Sequence, residues 1–316
     1  LIEFKTLEQH IPLNAAYAPL LREMFTRNEW LLRPMLEALT EESLPAYFKD
    51  VTRIWDTLLG VRNIDPTLRI VEVISGLQFH SMEFLKLQIQ FAKTGIYKSS
   101  DAETIESQIY QAGDKMQRYL DGLLLTYVAW PNHYRLLNWY RDAYLRHGPY
   151  GSCLEIGPGH GYLALEQLQA SEFNTLVARD LSPHSVAYTQ NVLRVNGIDP
   201  SRYDVRQSNA QKGLDTDVPH FDRIVIAEVI EHVADPLSIL QSLSNRSHKE
   251  TLLFITTVVN IEAPDHIYLF RTLQEVRDLL SEAGMKVVDE LDLPLNMNLI
   301  LREPAYEVAM VCKVIS

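Results

Sequence analysis

The run Leu154-Glu155-Ile156-Gly157-Pro158-Gly159-His160-Gly161 is where residue types and spacing first point to chemistry. Three glycines at alternate positions sit behind a short apolar run and ahead of a helical period. Glycines let a backbone approach a ligand closely and adopt torsions that other residues avoid. In open α/β sheets, turns of this kind lie at the carboxyl ends of strands, where ligands bind. Glu155 puts a carboxylate where a positively charged amino group would meet it. The glycine spacing then separates ligand classes. Dinucleotide sites use Gly-x-Gly-x-x-Gly, whereas here the third glycine comes one residue early and Tyr162 holds the dinucleotide position. No Gly-Lys-Ser/Thr follows, which excludes a phosphate-cradling loop. An acidic, lysine-free loop suits a cofactor that carries an amino acid and no phosphates.

A second signal is Arg179-Asp180-Leu181-Ser182-Pro183. Asp180 closes the next apolar run, where an acidic side chain can accept hydrogen bonds from both hydroxyls of a ribose. Ser182 and Pro183 supply the cap and first position of the following helix. Helix capping therefore does not require Asp180, which leaves it for the ribose.

These two strings, together with Phe221-Asp222-Arg223-Ile224-Val225-Ile226-Ala227-Glu228-Val229-Ile230-Glu231-His232, resemble the successive motifs of class I S-adenosylmethionine-dependent methyltransferases. The nearest likeness is to the ubiquinone-biosynthesis O-methyltransferase group. Asp265-His266, Phe270-Arg271-Thr272-Leu273 and Glu282-Ala283-Gly284-Met285 are similar to its later region. The resemblance covers about residues 150–316. It implies a Rossmann-like α/β fold and S-adenosylmethionine as cofactor. Gly157, Pro158, Gly159 and Gly161 would pass under the methionine portion, with Glu155 near its ammonium. Asp180 would hold the ribose and Leu181 would lie against the adenine. Asn209 and Ala210 fall where the family often has Asp-Ala beside the adenine amino group, and an Asn carbonyl can still accept that hydrogen bond. Glu228 and Val229 would close the pocket.

Glu228-x-x-Glu231-His232 with the later His266 resembles the metal-binding pattern of small-RNA 2′-O-methyltransferases. Glu and His suit a divalent ion. The same string equally serves to cap and orient a strand-to-helix turn, and His232 or His266 could act as general base. The expectation adopted is that no metal is bound, with a divalent ion as the alternative. Methyl transfer asks chiefly for alignment of nucleophile, methyl carbon and sulfur, so positioning can suffice.

The segment from Tyr127 to Tyr144 is rich in aromatic residues and leads directly into the cofactor strand. Aromatic faces stabilise cations such as a sulfonium. His133, Tyr134 and Asn138 are the acceptor-side candidates, with Trp130 and Trp139 as packing residues. The expected reaction is methylation of a small molecule in a biosynthetic setting. One alternative is an enzyme that uses S-adenosylmethionine itself as substrate, by cyclisation or lysis. Another is a non-catalytic cofactor-binding partner subunit. An acceptor delivered by a carrier protein would need an open groove, and a small acceptor would be enclosed.

The elements that must position these residues divide the chain in two. Residues 1–147 read as helices and would form a cap that sets substrate choice. Apolar residues recur at helical spacing after Asp65-Pro66 through Ile70, Val73, Ile74 and Leu77 towards Phe91, from Asp101 through Ile105, Ile109, Met116 and Leu120, and after Pro131. Tyr17 to Phe25 and Phe48 to Leu59 suggest two more. Residues 148–316 alternate strands at Cys153–Ile156, Thr175–Ala178, Arg223–Ala227 and Thr251–Thr256 with helices at Tyr162–Ala170, Pro183–Asn196, Pro236–Leu243 and Leu273–Ala283, which implies a parallel sheet. Leu299–Leu301 and Glu307–Val314 then suggest an antiparallel hairpin at the sheet edge. The boundary falls at His147-Gly148-Pro149-Tyr150-Gly151.

Charge agrees with this division. Residues 1–147 carry 16 Lys and Arg against 18 Asp and Glu, and residues 148–316 carry 13 against 23. The half with the motifs is strongly acidic, which argues against nucleic acid as substrate. No apolar window is long enough for a membrane span, and Leu1 to His10 shows no signal-peptide pattern. Cys153 and Cys312 sit singly in apolar runs, as buried reduced thiols of a cytoplasmic protein would.

Overall fold

The computed structural model describes residues 18–63, 70–95, 113–263, 265–295 and 304–315. The first half is helical: α1 (Ala18–Ala38), α2 (Leu44–Arg62), α3 (Ile70–Thr94), α4 (Gly113–Ala129) and α5 (Pro131–Trp139), the last continued by a π-helical turn over Tyr140–Leu145. The expectations at Tyr17, Asp65-Pro66 and Asp101 to Ala112 lie outside the described residues. Proline opens α5 and α2 near their first positions, where its missing N–H costs nothing.

The second half alternates β1 (Ser152–Ile156), α6 (Tyr162–Ala170), β2 (Thr175–Asp180), α7 (Pro183–Val195), β3 (Tyr203–Gln207), β4 (Phe221–Ala227), α8 (Pro236–Ser244), β5 (Ser247–Val259), α9 (Leu273–Glu282), β6 (Met285–Leu295) and β7 (Ala305–Val314). The seven strands lie in the order β3-β2-β1-β4-β5-β7-β6. The five strands β1–β5 are parallel, and β7 runs antiparallel between β5 and β6. The edge hairpin is therefore present, but its first strand is Met285–Leu295; Leu299–Leu301 lies outside the described residues. The order reverses at β1, which has β2 on one side and β4 on the other. Ligands of open α/β sheets bind at the carboxyl ends of strands at such a reversal.

Alternation along the strands divides the core into two faces. Cys153, Val225 and Phe254 point to one, and Leu154, Ile224, Ile226, Leu253 and Ile255 to the other. The second face is covered by Ile239, Leu240 and Leu243 of α8 and Val276 and Leu280 of α9. The first is covered by α6 and α7 and by the helical half itself, since one continuous apolar cluster runs from Trp55 and Leu137 to Val192 and Phe254. Each large aliphatic or aromatic side chain so buried contributes about 1.5–3 kcal/mol.

Polar ties fix the helical half on the sheet. Tyr144 donates to the Ile224 carbonyl (3.1 Å) and Tyr140 to the Leu163 carbonyl (3.3 Å). Arg141 makes a two-pronged bond to Glu166 of α6 (2.9 and 2.8 Å) and also reaches Asp50 of α2 (2.9 Å). Fully buried Arg223 of β4 donates to the carbonyls of Tyr144 (2.5 Å), Leu145 (3.4 Å), His147 and Pro149 (2.6 Å). It thereby satisfies the chain end of the last cap helix and locks the linker to the sheet. Both cysteines are buried free thiols. Among the described residues no helix is long and apolar enough to cross a membrane.

Candidate active site

The glycine loop leaves β1 at the sheet reversal, and its three glycines do different work. Gly157 has φ 66°, and a Cβ there would meet Val229 Cγ2 at 2.5 Å. Gly161 has φ 69°, and a Cβ would meet the backbone Cα of Thr189 at 2.8 Å. Gly159 has φ 54° but open space around it, the nearest atom being the Gly157 carbonyl oxygen at 3.9 Å. The first and last glycines thus permit close packing against Val229 and α7. The middle one leaves room for a ligand.

Glu155 is buried, and its Oε2 accepts from Gln167 Nε2 at 2.7 Å. Burial raises its pKa to about 8, against the hydrogen bond that lowers it. A cationic group placed beside it would favour the ionised form and lower that value. Gln167 Oε1, also buried, has no hydrogen-bond partner. Asp180 ends β2 and accepts from the Gly159 N–H (3.1 Å) and the Ser182 N–H (2.8 Å). It organises the loop and retains lone pairs for a diol. Ser182 is the helix cap, accepting from Ser185 N–H. Leu181 is half-buried beside it. Asn209 caps the turn Ala210–Lys212, its Oδ1 accepting from Gln211 N–H at 3.0 Å. The amino-acid acceptor, the diol acceptor and the open glycine therefore lie around one strand-end crevice. These residues fit S-adenosylmethionine.

Next to it, β4 is followed directly by Glu228, a non-glycine residue at φ 51°. Thr256 of β5 holds that turn, donating from Oγ1 to Glu228 Oε1 (2.7 Å) and accepting the Glu228 N–H (3.0 Å). Left-handed backbone in such a residue is costly and concentrates at functional sites. Glu231 is buried with Oε2 accepting from Thr257 Oγ1 at 2.8 Å. Burial and the neighbouring Glu228 carboxyl raise its pKa well above the carboxylate range. Glu307 of β7 is raised likewise, by burial and then by Glu228. For Asp265, burial acts upward, but His232 and His266 together hold it below its usual value.

The helical half supplies the opposite wall. His80 of α3 stacks on Trp130 (5.5 Å) and meets Tyr119 edge-on (5.2 Å). Trp130 meets His133 edge-on at 5.0 Å, and Tyr127 lies 5.3 Å from His160 of the glycine loop. Burial lowers the pKa of His80 to about 4 and of His133 to about 3. His80, Tyr119, Trp130, His133 and Glu228 nevertheless keep some accessible surface. These partly accessible groups face one another beside the glycine loop. The electrostatics agree: Tyr119 feels Asp265, Glu228 and Glu231, and Tyr127 feels Glu307, Glu155 and Glu228.

Of the three α5 candidates, only His133 reaches this wall, with Nε2 3.8 Å from Glu307 Oε1. Tyr134 packs edge-on against Tyr47 (5.5 Å), and Asn138 Oδ1 lies 3.5 Å from Arg141 Nη1. Residues 134 and 138 share a helical face that turns to the Asp50–Arg141–Glu166 network, and 133 lies on the adjacent face. Trp139 packs on Phe254. His232 and His266 stand together, ring centroids 4.8 Å apart, below Glu231. His80, Tyr119, Tyr127, Asp265 and Glu307 come from scattered elements and carry no common spacing, so sequence reading did not collect them as a site.

The family model for the methyltransferase domain matches residues 132–290, half of the chain. Among curated proteins no sequence matches. Similar solved structures include the 4+2 cyclase SpnF (15% identity, 58% of this chain and 81% of that one, TM-score 0.48). The mitomycin 7-O-methyltransferase MmcR has 13% identity over 72% of this chain and 68% of its own, TM-score 0.49. The YcgJ protein of Bacillus subtilis has 13% identity over 58% of this chain and 98% of its own, TM-score 0.45. With the family match spanning the glycine loop, Asp180 and Glu228, this chain belongs to the class I S-adenosylmethionine-dependent methyltransferase superfamily.

Proposed function

We propose that the protein methylates a small molecule enclosed between the helical cap, the carboxyl ends of β1 and β4 and the amino end of β7. The observation that carries this reading is that cap rings (His80, Tyr119, Tyr127, Trp130, His133) gather against sheet carboxyls (Glu228, Glu231, Glu307) beside the glycine loop, where burial perturbs both sets.

S-adenosylmethionine, when bound, supplies an electrophilic methyl group. Glu155 and the glycine loop would hold its amino-acid part, Asp180 its ribose, and Leu181 and Asn209 its adenine. The cap excludes water and orients the acceptor, the main requirement of a displacement at carbon. His133 has a defined part. The Thr126 hydroxyl donates to the Leu123 carbonyl (2.6 Å), so its oxygen accepts from His133 Nδ1–H (2.6 Å). The Nε2 lone pair is therefore free to take a hydrogen bond from an acceptor O–H or N–H. A pKa near 3 makes His133 an orienting acceptor more than a strong base.

The test is mass spectrometry of incubations with S-adenosylmethionine, with and without a panel of small alcohols, phenols and amines. S-adenosylhomocysteine formed only with an acceptor supports the proposal. Methylthioadenosine formed from the cofactor alone overturns it in favour of cyclisation or lysis. Calorimetric binding of S-adenosylmethionine with neither product in any incubation favours a non-catalytic cofactor-binding partner, and no binding by the folded protein overturns the proposal outright.

A further inference from the structure

Resting on the acceptor-side reading of His133 above, we infer that Glu307 and His133 together bind an amino group, so that the acceptor is an amine held as its cation. Glu307 is the third residue of β7, opposite Val258 of β5 and Leu293 of β6. Alternation along β7 puts it on the same side as Ala309 and Val311, which join the apolar cluster shared with the helical half. Its side chain is only 5% exposed, yet among the described residues no hydrogen bond reaches its carboxyl. Buried polar groups are as a rule hydrogen-bonded, so one that is not calls for a partner.

His133 does not supply that partner. Its Nε2 lies 3.8 Å from Glu307 Oε1, beyond hydrogen-bond reach. Its Nδ1–H goes to the Thr126 hydroxyl, which leaves Nε2 bare. A carboxyl oxygen and an imidazole lone pair thus stand side by side, too far apart to share one proton. Two such acceptors suit a single group that donates twice. An ammonium nitrogen about 2.8 Å from each spans the gap. A hydroxyl has one proton to give and satisfies only one of them.

The surroundings have the matching sign. The charges acting on Tyr119 are those of Asp265, Glu228 and Glu231, and those acting on Tyr127 belong to Glu307, Glu155, Glu228 and Tyr162; all are acids. Burial and then Glu228 hold the Glu307 pKa well above the carboxylate range, and a cation beside it would restore the ionised form. The rings of Tyr127 and Trp130, centred 6.0 and 5.0 Å from that of His133, add aromatic surface of the kind that stabilises cations. An anionic acceptor would meet carboxyls on this wall.

The experiment compares 2-phenylethylamine, 2-phenylethanol and phenylacetate, which share a ring and differ in the group they carry. Each is titrated calorimetrically into the full chain with S-adenosylhomocysteine in excess. The amine should bind about tenfold or more tightly than the alcohol or the acid. Glu307→Gln should remove most of that preference, whereas Tyr134→Phe, whose ring packs on Tyr47, should keep it. A merely structural role would weaken the three probes together and leave their ratio unchanged. If Glu307→Gln fails to fold by circular dichroism, His133→Phe decides in the same way. No preference for the amine in the parent protein overturns the inference, as does a parent-like preference in the folded variant. These titrations need no turnover, so S-adenosylhomocysteine formation tests methyl transfer separately; methylation of neutral acceptors with no preference for amines sinks the amine site alone.

Discussion

Replacing Gly159 and Gly161 one at a time by alanine separates a glycine that makes room for a ligand from one that makes room for the fold. Both have left-handed torsions, φ 54° and 69°, so alanine costs each about 1–2 kcal/mol in backbone strain. At Gly159 nothing is added, because the new methyl meets only the Gly157 carbonyl oxygen at 3.9 Å. At Gly161 the methyl would stand 2.8 Å from Thr189 Cα and 2.9 Å from its Cγ2 and Oγ1. Thr189 sits in α7, so the helix must shift, at about 1–3 kcal/mol more. Gly161→Ala should thus lose about 2–5 kcal/mol in urea unfolding and Gly159→Ala about 1–2 kcal/mol. Calorimetry with S-adenosylmethionine should reverse the ranking. Gly159→Ala puts its methyl in the ligand's space and should weaken binding at least tenfold, about 1.4 kcal/mol. Gly159→Ala binding like the parent, or equal stability losses in the two variants, would refute this division of labour.

Glu155 predicts a pH effect. It ionises near its ordinary value in the unfolded chain but only near about 8 in the folded one. Between those values the folded state holds the extra proton, so stability falls as pH rises, by up to about 1.4 kcal/mol per unit. Glu155→Gln should flatten that decline in urea midpoints between about pH 5 and 7, and an unchanged slope counts against a neutral buried carboxyl. Arg141→Leu strands Asp50 and Glu166, both largely buried, and should cost about 3–5 kcal/mol. Adding Asp50→Asn and Glu166→Gln should return part of that loss in thermal unfolding; no recovery means that packing, not charge, holds the cap. On the acceptor side, His133→Ala should lower turnover at least tenfold while Tyr134→Phe keeps it, as steady-state kinetics would report. The opposite ranking would return Tyr134 to the acceptor side.

Legibility in the sequence follows from how local each feature is. The helix Tyr162–Ala170 and the cap at Ser182 are written in neighbouring residues, and the helix bounds agree with the sequence reading residue for residue. Strand β3 gave no signal because Tyr203–Gln207 buries only Val205. An edge strand with one inward residue has no period to detect. Strand β6 was hidden for the same reason: Met285–Leu295 carries Lys286, Asp289, Glu290, Asp292 and Pro294, which edge strands tolerate and central ones do not. Glu307 was invisible as a site residue. Its charge in a largely apolar strand suggests exposure, yet its side chain is buried.

The same distinction explains why the cofactor side was readable and the acceptor side was not. Glu155, the glycines, Asp180 and Glu228 lie at or just past the carboxyl ends of strands of one sheet, so their spacing along the chain reflects their spacing in space. The acceptor wall joins α3, α4 and α5 to β4 and β7, and no spacing encodes that meeting. What encodes it is the docking of the cap, through Arg141 to Glu166 and through Arg223 to the carbonyls of Tyr144 to Pro149. Arg141 and Arg223 touch neither the glycine loop nor the proposed acceptor wall. Loosening either should therefore shift His133 relative to Glu307 and slow turnover while S-adenosylmethionine still binds. A parallel loss of cofactor affinity would mean instead that cap and loop form one unit, and that the acceptor site cannot be altered without the cofactor site.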